Sequence, residues 1–242
     1  MLLAALLRWD SKLMVRALIT GSSRGLGREI SLHLASQGID ILLHYRQDEK
    51  AASNTAQQCS SYSVAVDVLQ GDFSSSSGIE SFLTSLKRYG HIDYLINNAS
   101  EFLLKPLSET TSEEWQRMFH VNVHAPIRIT QFLIKSALRV INIGVAGVGR
   151  SRAVKDAVAY TVTKETLWSY TRSLALTTQQ GTVNMISPGI LENSEITYRL
   201  DHLPVPRVIS FSEVAKVVSF LIGKAGDAIT GQNIEIEGGL RL

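Results

Sequence analysis

Thr20-Gly21-Ser22-Ser23-Arg24-Gly25-Leu26-Gly27 lies between an apolar run, Val15 to Ile19, and an amphipathic segment, Arg28 to Ala35. In that order the three patterns predict a strand, a sharp turn and a helix. Glycines allow the reversal and allow a phosphate to approach the amide groups at the helix start, where the partial positive charge of the helix sits. The turn is therefore a candidate dinucleotide site. Its spacing, Gly-x-x-x-Gly-x-Gly, departs from the Gly-x-Gly-x-x-Gly fingerprint, and an ordinary Gly/Ser loop is the competing reading.

Further apolar runs follow at Ala17 to Thr20, Ile39 to His44, Val64 to Val68, Tyr94 to Asn97, Val140 to Ile143, Val183 to Ile186 and Asn233 to Ile236. Several are continuous rather than alternating, as expected of parallel strands buried on both faces. Between them, Glu80 to Arg88, Ser112 to Ala137, Ala157 to Thr177 and Ser212 to Gly223 repeat apolar residues every three or four positions. The pattern predicts an α/β fold, a single-domain Rossmann-type doubly wound parallel sheet of about seven strands with helices on both faces. Ser112 opens its helix with an acidic first turn, and Ser74 to Ser77 caps the helix after the third strand.

A chain of 242 residues, 45% hydrophobic, can bury one sizeable core, so residues 14–242 form one domain that carries cofactor and substrate sites together. Residues 1–13 read as an extension, either an upstream start or a small packing helix; the run Met1 to Leu7 is too short to span a membrane. The least regular stretch, 188–210, holds Pro188, Pro204 and Pro206 and follows a strand end, where open α/β sheets place ligands; it reads as a short substrate lid. Net charge is +2 with both signs scattered, which offers no footprint for nucleic acid. The single Cys59 excludes an internal disulfide and a Cys-rich metal site, and the cytoplasm is the expected compartment. His120 and His124 are an i,i+4 pair without an evident third ligand, so no metal is expected.

Of the seven tyrosines, only Tyr160 has a lysine, Lys164, four residues on, which puts both on one helix face. An ammonium beside a phenol favours the phenolate and would suit Tyr160 for proton exchange with a carbonyl or imine. Asn97-Asn98-Ala99-Ser100 ends a strand. Asn122, in mid-helix, is either a bend or a surface residue, because asparagine competes with the backbone for hydrogen bonds.

Taken together, the glycine turn, Asn97 to Ala99, Asn122, Tyr160-x-x-x-Lys164 and Ser187-Pro188-Gly189 occur in the order and rough spacing of the short-chain dehydrogenase/reductase family, which the chain resembles from about Val15 onward. Glu237-Gly238-Gly239 resembles the family's last strand and turn. The resemblance implies that Gly21, Ser22, Arg24, Gly25, Leu26 and Gly27 form the pyrophosphate turn, that Asp72 accepts from the adenine amine and that Asn98 lies along the adenine ribose. It implies that Tyr160 is the proton donor, that Lys164 binds the nicotinamide ribose and lowers the Tyr160 pKa, and that Asn122 holds a water on a relay to Lys164; Pro188 and Gly189 complete the cofactor site. Arg46 stands where an acid would grip a free ribose diol, and Arg24 lies in the turn, so the implied cofactor is NADPH/NADP+.

One position departs from the family. The strand end Ile143-Gly144-Val145-Ala146 puts Val145 where a serine usually bonds the reacting carbonyl, and pteridine reductases carry Asp there. Losing such a bond costs about 10²–10³-fold in rate. Ser151, in the next loop, is a candidate substitute. The expected substrate is a small carbonyl compound or a pterin. A 3-oxoacyl-acyl-carrier-protein reductase-like activity, with Arg150, Arg199 and Arg207 meeting the acyl carrier protein, leads. A pteridine reductase-like activity, with Phe102 and Tyr198 stacking on the pterin, is the alternative, and a weakly active NADP(H)-binding protein is the third reading. The family resemblance further implies a homotetramer built through Ser112 to Ala137 and Ala157 to Thr177.

Overall fold

Seven strands, β1 (Arg16–Ile19), β2 (Asp40–Tyr45), β3 (Val66–Gln70), β4 (Tyr94–Asn97), β5 (Arg139–Ile143), β6 (Thr182–Pro188) and β7 (Asn233–Ile236), form one parallel sheet in the order β3-β2-β1-β4-β5-β6-β7. The computed structural model describes residues 15–150, 155–178, 181–194 and 200–240; the 1–13 extension, Ser151, Tyr198 and Arg199 lie outside them. Chain order runs outward from β1 in one direction and from β4 in the other. The crevice between their carboxyl ends is thus the switch point where such sheets bind ligands.

Strand residues alternate between two packed layers. Ala17, Ile19, Ile41 and Leu43 face Ile30 and Leu34 of α1 (Gly25–Ala35) and Val214, Val218 and Leu221 of α7 (Phe211–Ile222). Leu18, Leu42 and Leu95 face the other way, onto Ile79 and Phe82 of α3 (Ser76–Leu86) and Ile129 and Leu133 of α5 (Ala125–Leu133). Both faces being covered is why the central strands read as continuous apolar runs.

Sequence periodicity missed one helix, α2 (Glu49–Ser60). It buries only Ala52, Thr55 and Cys59, a strip too narrow and too polar to register as an apolar face. The segment Ser112 to Ala137, expected as one helix, is α4 (Ser112–Phe119), a π-helical turn (His120–His124) and α5, with Ala137 beyond its end. Its cap is Thr111 rather than Ser112: the Thr111 hydroxyl accepts from Glu114 N, and the Glu114 carboxylate accepts from Thr111 N. Ser75 caps α3 as expected of the serine patch. The long helix α6 (Val158–Thr177) carries the Tyr160-Lys164 pair. No helix among the described residues is long and apolar enough to cross a membrane.

A buried polar chain crosses the second layer. Asn97 Nδ2 of β4 donates to Asn142 Oδ1 of β5 (2.8 Å) and more weakly to Thr130 Oγ1 of α5 (3.3 Å); Asn142 Nδ2 donates to Thr171 Oγ1 of α6 (2.9 Å). All four residues are at most 3% exposed, so water cannot take over a lost bond. Replacing Asn142→Ala should therefore lower stability by about 2–3 kcal/mol, read as a lower urea midpoint at unchanged slope.

Candidate active site

The end of β1 is clamped from β4. Thr20 N donates to Ile96 O (3.0 Å), Asn98 Nδ2 donates to Thr20 O and Gly21 O (2.9 Å each), and Asn98 N and Ala99 N both donate to Thr20 Oγ1 (2.9 Å). Asn98, implied to lie along a ribose, thus spends its amide donor on the glycine turn. The fit is close enough to demand glycine at two positions. Gly21 has φ +64°, and a Cβ on Gly27 would stand 2.4 Å from Gly21 O. The first amides of α1, at Gly25, Leu26 and Gly27, have no acceptor within the helix and border a cleft of about 570 Å³.

The cleft is bordered by Arg24, Arg46, Gln47 and Asp48, by the turn, and by Ser100, Glu101, Phe102 and Asn193. Arg24 and Arg46 are exposed, two cations beside a helix N-terminus. Such a donor set fits a phosphorylated dinucleotide: backbone amides for the pyrophosphate, guanidinium groups for a further phosphate. Ser22 departs from the expectation of a cofactor contact. It is fully buried, its hydroxyl donating to Ile19 O (2.9 Å) and accepting from His44 N (3.1 Å), because the turn needs a polar rivet between β1 and β2. Asp72 turns its Oδ1 to Ser74 N (2.9 Å), while its neighbours Gly71 and Phe73 border the cleft. Pro188 and Gly189 serve the sheet instead: Pro188 O accepts from Ala146 N (2.9 Å), Gly189 N donates to Ile236 O (2.9 Å), and a Cβ on Gly189 would meet Glu237 Cα at 2.9 Å.

His44 lies at the carboxyl end of β2, with no site role assigned from sequence. Its ring is buried, stacked on Phe73 (4.2 Å between centroids) and edge-on to Phe82 (5.1 Å). Burial pushes its pKa down to about 4, against the Gly71 carbonyl and the charge of Asp72, so the imidazole is neutral at physiological pH.

Asn122 is the bend expected of a mid-helix asparagine, sited in the π-helical turn and fully buried. Its Oδ1 accepts from Ser100 Oγ (3.1 Å) and Glu101 N (2.8 Å); its Nδ2 donates to Glu101 O (2.9 Å) and Thr163 Oγ1 (3.1 Å). The side-chain amide is thereby satisfied by protein groups, with none of these bonds to Lys164. The Ser100–Phe102 segment is fixed by these bonds and by Arg117 Nε on Glu101 Oε1 (2.5 Å). Phe102, 53% exposed, meets the Tyr160 ring edge to face at 4.9 Å.

Lys164 is 2% exposed; its Nζ donates to Ile143 O (2.8 Å) and lies 5.6 Å from the Tyr160 ring centroid. Burial pulls the ammonium down to about 7 and pushes the half-buried Tyr160 phenol up to about 12, with a hydrogen bond to Ser100 acting the other way. Burial thus acts on the two groups in opposite senses, weakening the hold of the ammonium on its proton and strengthening that of the phenol. Val145 packs against Val148, Leu167 and Met185 and brings no hydroxyl. Ser100, given no site role in the sequence reading, is the hydroxyl beside Tyr160; the signal that pointed to it is a serine directly after Asn97-Asn98-Ala99, where the family usually has glycine. His120 and His124 meet edge to face at 5.2 Å, with His120 Nε2 on Ser76 Oγ (3.2 Å). Among the described residues no three His, Cys, Asp or Glu side chains form a metal-holding group.

Comparison with known proteins agrees with this geometry. The family model described as enoyl-(acyl carrier protein) reductase matches residues 21–241. An uncharacterized oxidoreductase, YohF, of Escherichia coli K12 is 29% identical over 93% of this chain and 95% of its own length. Among solved structures, a blue fluorescent protein from a metagenomic library in complex with NADPH superposes with a TM-score of 0.87 at 28% identity, covering 94% of this chain and 98% of that one. An acetoin dehydrogenase, YohF, from Salmonella typhimurium gives 0.84 at 27% identity, covering 94% and 96%.

The buried lysine sets a stability test. Its proton is lost near pH 7 in the folded chain and near 10.5 in the unfolded one, so between those values the unfolded state binds more protons and stability rises with pH. Below pH 7 the full penalty of burying the ammonium applies. Lys164→Met should accordingly raise the melting temperature at pH 6–7 by roughly 3 °C or more, and the gain should shrink towards pH 10. A lower melting temperature across that range would contradict the buried, weakly held ammonium.

Proposed function

The chain belongs to the short-chain dehydrogenase/reductase family, and we propose that it is an NADPH-dependent reductase of a small, planar, conjugated C=O or C=N compound of the pterin kind. NADPH, when bound, supplies the hydride. Arg24 and Arg46 hold its extra phosphate, and the amides of Gly25, Leu26 and Gly27 hold the pyrophosphate. Tyr160, a neutral phenol at pH 7, gives its proton to the oxygen or nitrogen of the reduced bond. Lys164 stands behind it as a base or acid near its own pKa of about 7, able to return the proton. Ser100 takes the part that Val145 cannot: it is hydrogen-bonded to Tyr160, and its one hydroxyl hydrogen, given to Asn122 Oδ1 in this structure, would turn to the group that Tyr160 protonates.

The observation that carries the substrate class is the exposed Phe102 ring set against Tyr160, an aromatic platform beside the proton donor. The carrier-protein reading loses two of its arginines to neighbours. Arg207 is bidentate on Glu213 (2.7 and 2.8 Å), and Arg150 is bridged to Glu235 (2.5 Å). Exposed Phe132 and Val162, on the two helical segments that the resemblance assigns to subunit contacts, support assembly as a homotetramer within this reading.

NADPH oxidation followed at 340 nm with dihydrobiopterin, acetoacetyl thioester and diacetyl separates the readings. Faster turnover of the dihydropterin is expected; turnover of only the aliphatic compounds would overturn the planar-substrate reading. Tyr160→Phe should abolish turnover while NADPH binding survives. Ser100→Ala should lower kcat by about 10²-fold with Ser100→Thr partly restoring it, whereas an unchanged kcat in Ser100→Ala would leave the missing hydroxyl without a replacement.

A further inference from the structure

His44 touches both ends of the cofactor cleft floor. Gly21 N donates to its Nδ1 (2.9 Å), and its Nε2 lies 3.0 Å from Gly71 O. The partners leave the ring one possible state. A backbone N–H can only donate, so Nδ1 must carry a lone pair; a carbonyl oxygen can only accept, so Nε2 must carry the hydrogen. The backbone of the same residue adds two bonds to the turn: Ser22 N donates to His44 O (2.9 Å), and His44 N donates to Ser22 Oγ (3.1 Å).

The ring is held as firmly as the turn. Phe73 stacks on it within 7° of parallel, Phe82 closes its edge, and a Cβ on Gly71 would stand 2.7 Å from Phe82 Cδ2, so the carbonyl that receives the Nε2 hydrogen is itself wedged. Gly21 sits at φ +64°, with its amide directed inward to His44 Nδ1 and that of Ser22 inward to His44 O, while Gly25, Leu26 and Gly27 border the cleft. A side chain that only filled this space could not do that.

We propose that His44, in its neutral Nε2–H form, is a positioning residue for cofactor binding: by accepting from Gly21 N it sets the glycine turn in the conformation that presents the first-turn amides of α1 to the pyrophosphate. The inference rests on the reading of this cleft as the NADPH site. It concerns a buried residue on the second strand whose two ring nitrogens are both taken by backbone groups.

The two hydrogen bonds can be removed separately. Asn at 44 offers Oδ1 near the place of Nδ1 and keeps the Gly21 bond; Gln offers Nε2 near the place of the imidazole Nε2 and keeps the Gly71 bond; Leu keeps neither. NADPH affinity, measured by the enhancement of its fluorescence on the full chain, should stay within about threefold of the wild type in His44→Asn and weaken roughly fivefold to tenfold in His44→Gln and His44→Leu. Circular dichroism verifies folding of each variant. In the unaltered protein, the ring carbon and nitrogen shifts of His44 should report the Nε2–H form, and the Gly21 amide proton should show a scalar coupling across its bond to Nδ1. Equal affinities for Asn and Gln, full affinity in Leu, or an Nδ1–H ring would each overturn the proposal. Failure of the wild type to bind NADPH, with the ring in the Nε2–H form, would instead reject the cofactor reading and leave the clamp standing.

Discussion

The clamp between the ends of β1 and β4 is the constraint on which the site depends. Thr20 receives Asn98 N and Ala99 N on its hydroxyl, gives its own N–H to Ile96 O, and shares the Asn98 amide with Gly21. In a parallel sheet these strand ends are neighbours only because β1 and β4 flank the switch point, so the topology itself brings residues 20 and 98 together. Once they are joined, the turn can neither open towards solvent nor collapse into the cleft. The close approach of Gly27 to Gly21 O then follows from where α1 must start.

From that clamp the polar groups extend in two directions. Towards β2 and β3, Ser22 and His44 rivet the turn to the neighbouring strands, the His44 ring packing on Phe73 and Phe82 of the second layer; both are buried and bonded, so they add rigidity without leaving an unpaired group. Towards α6, Ser100 leads to Asn122 in the π-helical turn, and Asn122 leads to Thr163, between Tyr160 and Lys164. The extra residue of a π turn re-aims a side chain that a regular helix would have pointed elsewhere. An asparagine that is costly in a regular helix becomes the joint between three segments.

Electrostatics at the reacting end follow from burial more than from pairing. Lys164 donates to a backbone carbonyl and lies against the Tyr160 ring, and desolvation weakens its hold on the proton while strengthening that of the phenol. The pair therefore combines a neutral phenol with a lysine that titrates near neutral pH.

Sequence by itself determined the seven strands, their parallel arrangement and the place of the glycine turn, because continuous apolar runs and a Gly-rich strand-to-helix turn are local signals of burial and of backbone freedom. It singled out Tyr160, Lys164 and Asn122 through spacing and through the oddity of an asparagine in a helix. Helix α2 stayed illegible because its buried strip is Ala52, Thr55 and Cys59, and the break at His120–His124 because a π turn has no apolar period of its own. Only the tertiary structure decided that Ser22 faces inward, that Ser100 is the hydroxyl at Tyr160 and that His44 holds Gly21. Those facts depend on which atoms meet across elements separated by 22 to 60 positions in the chain, and composition or periodicity along one segment carries no information about the hydrogen-bond partner on another.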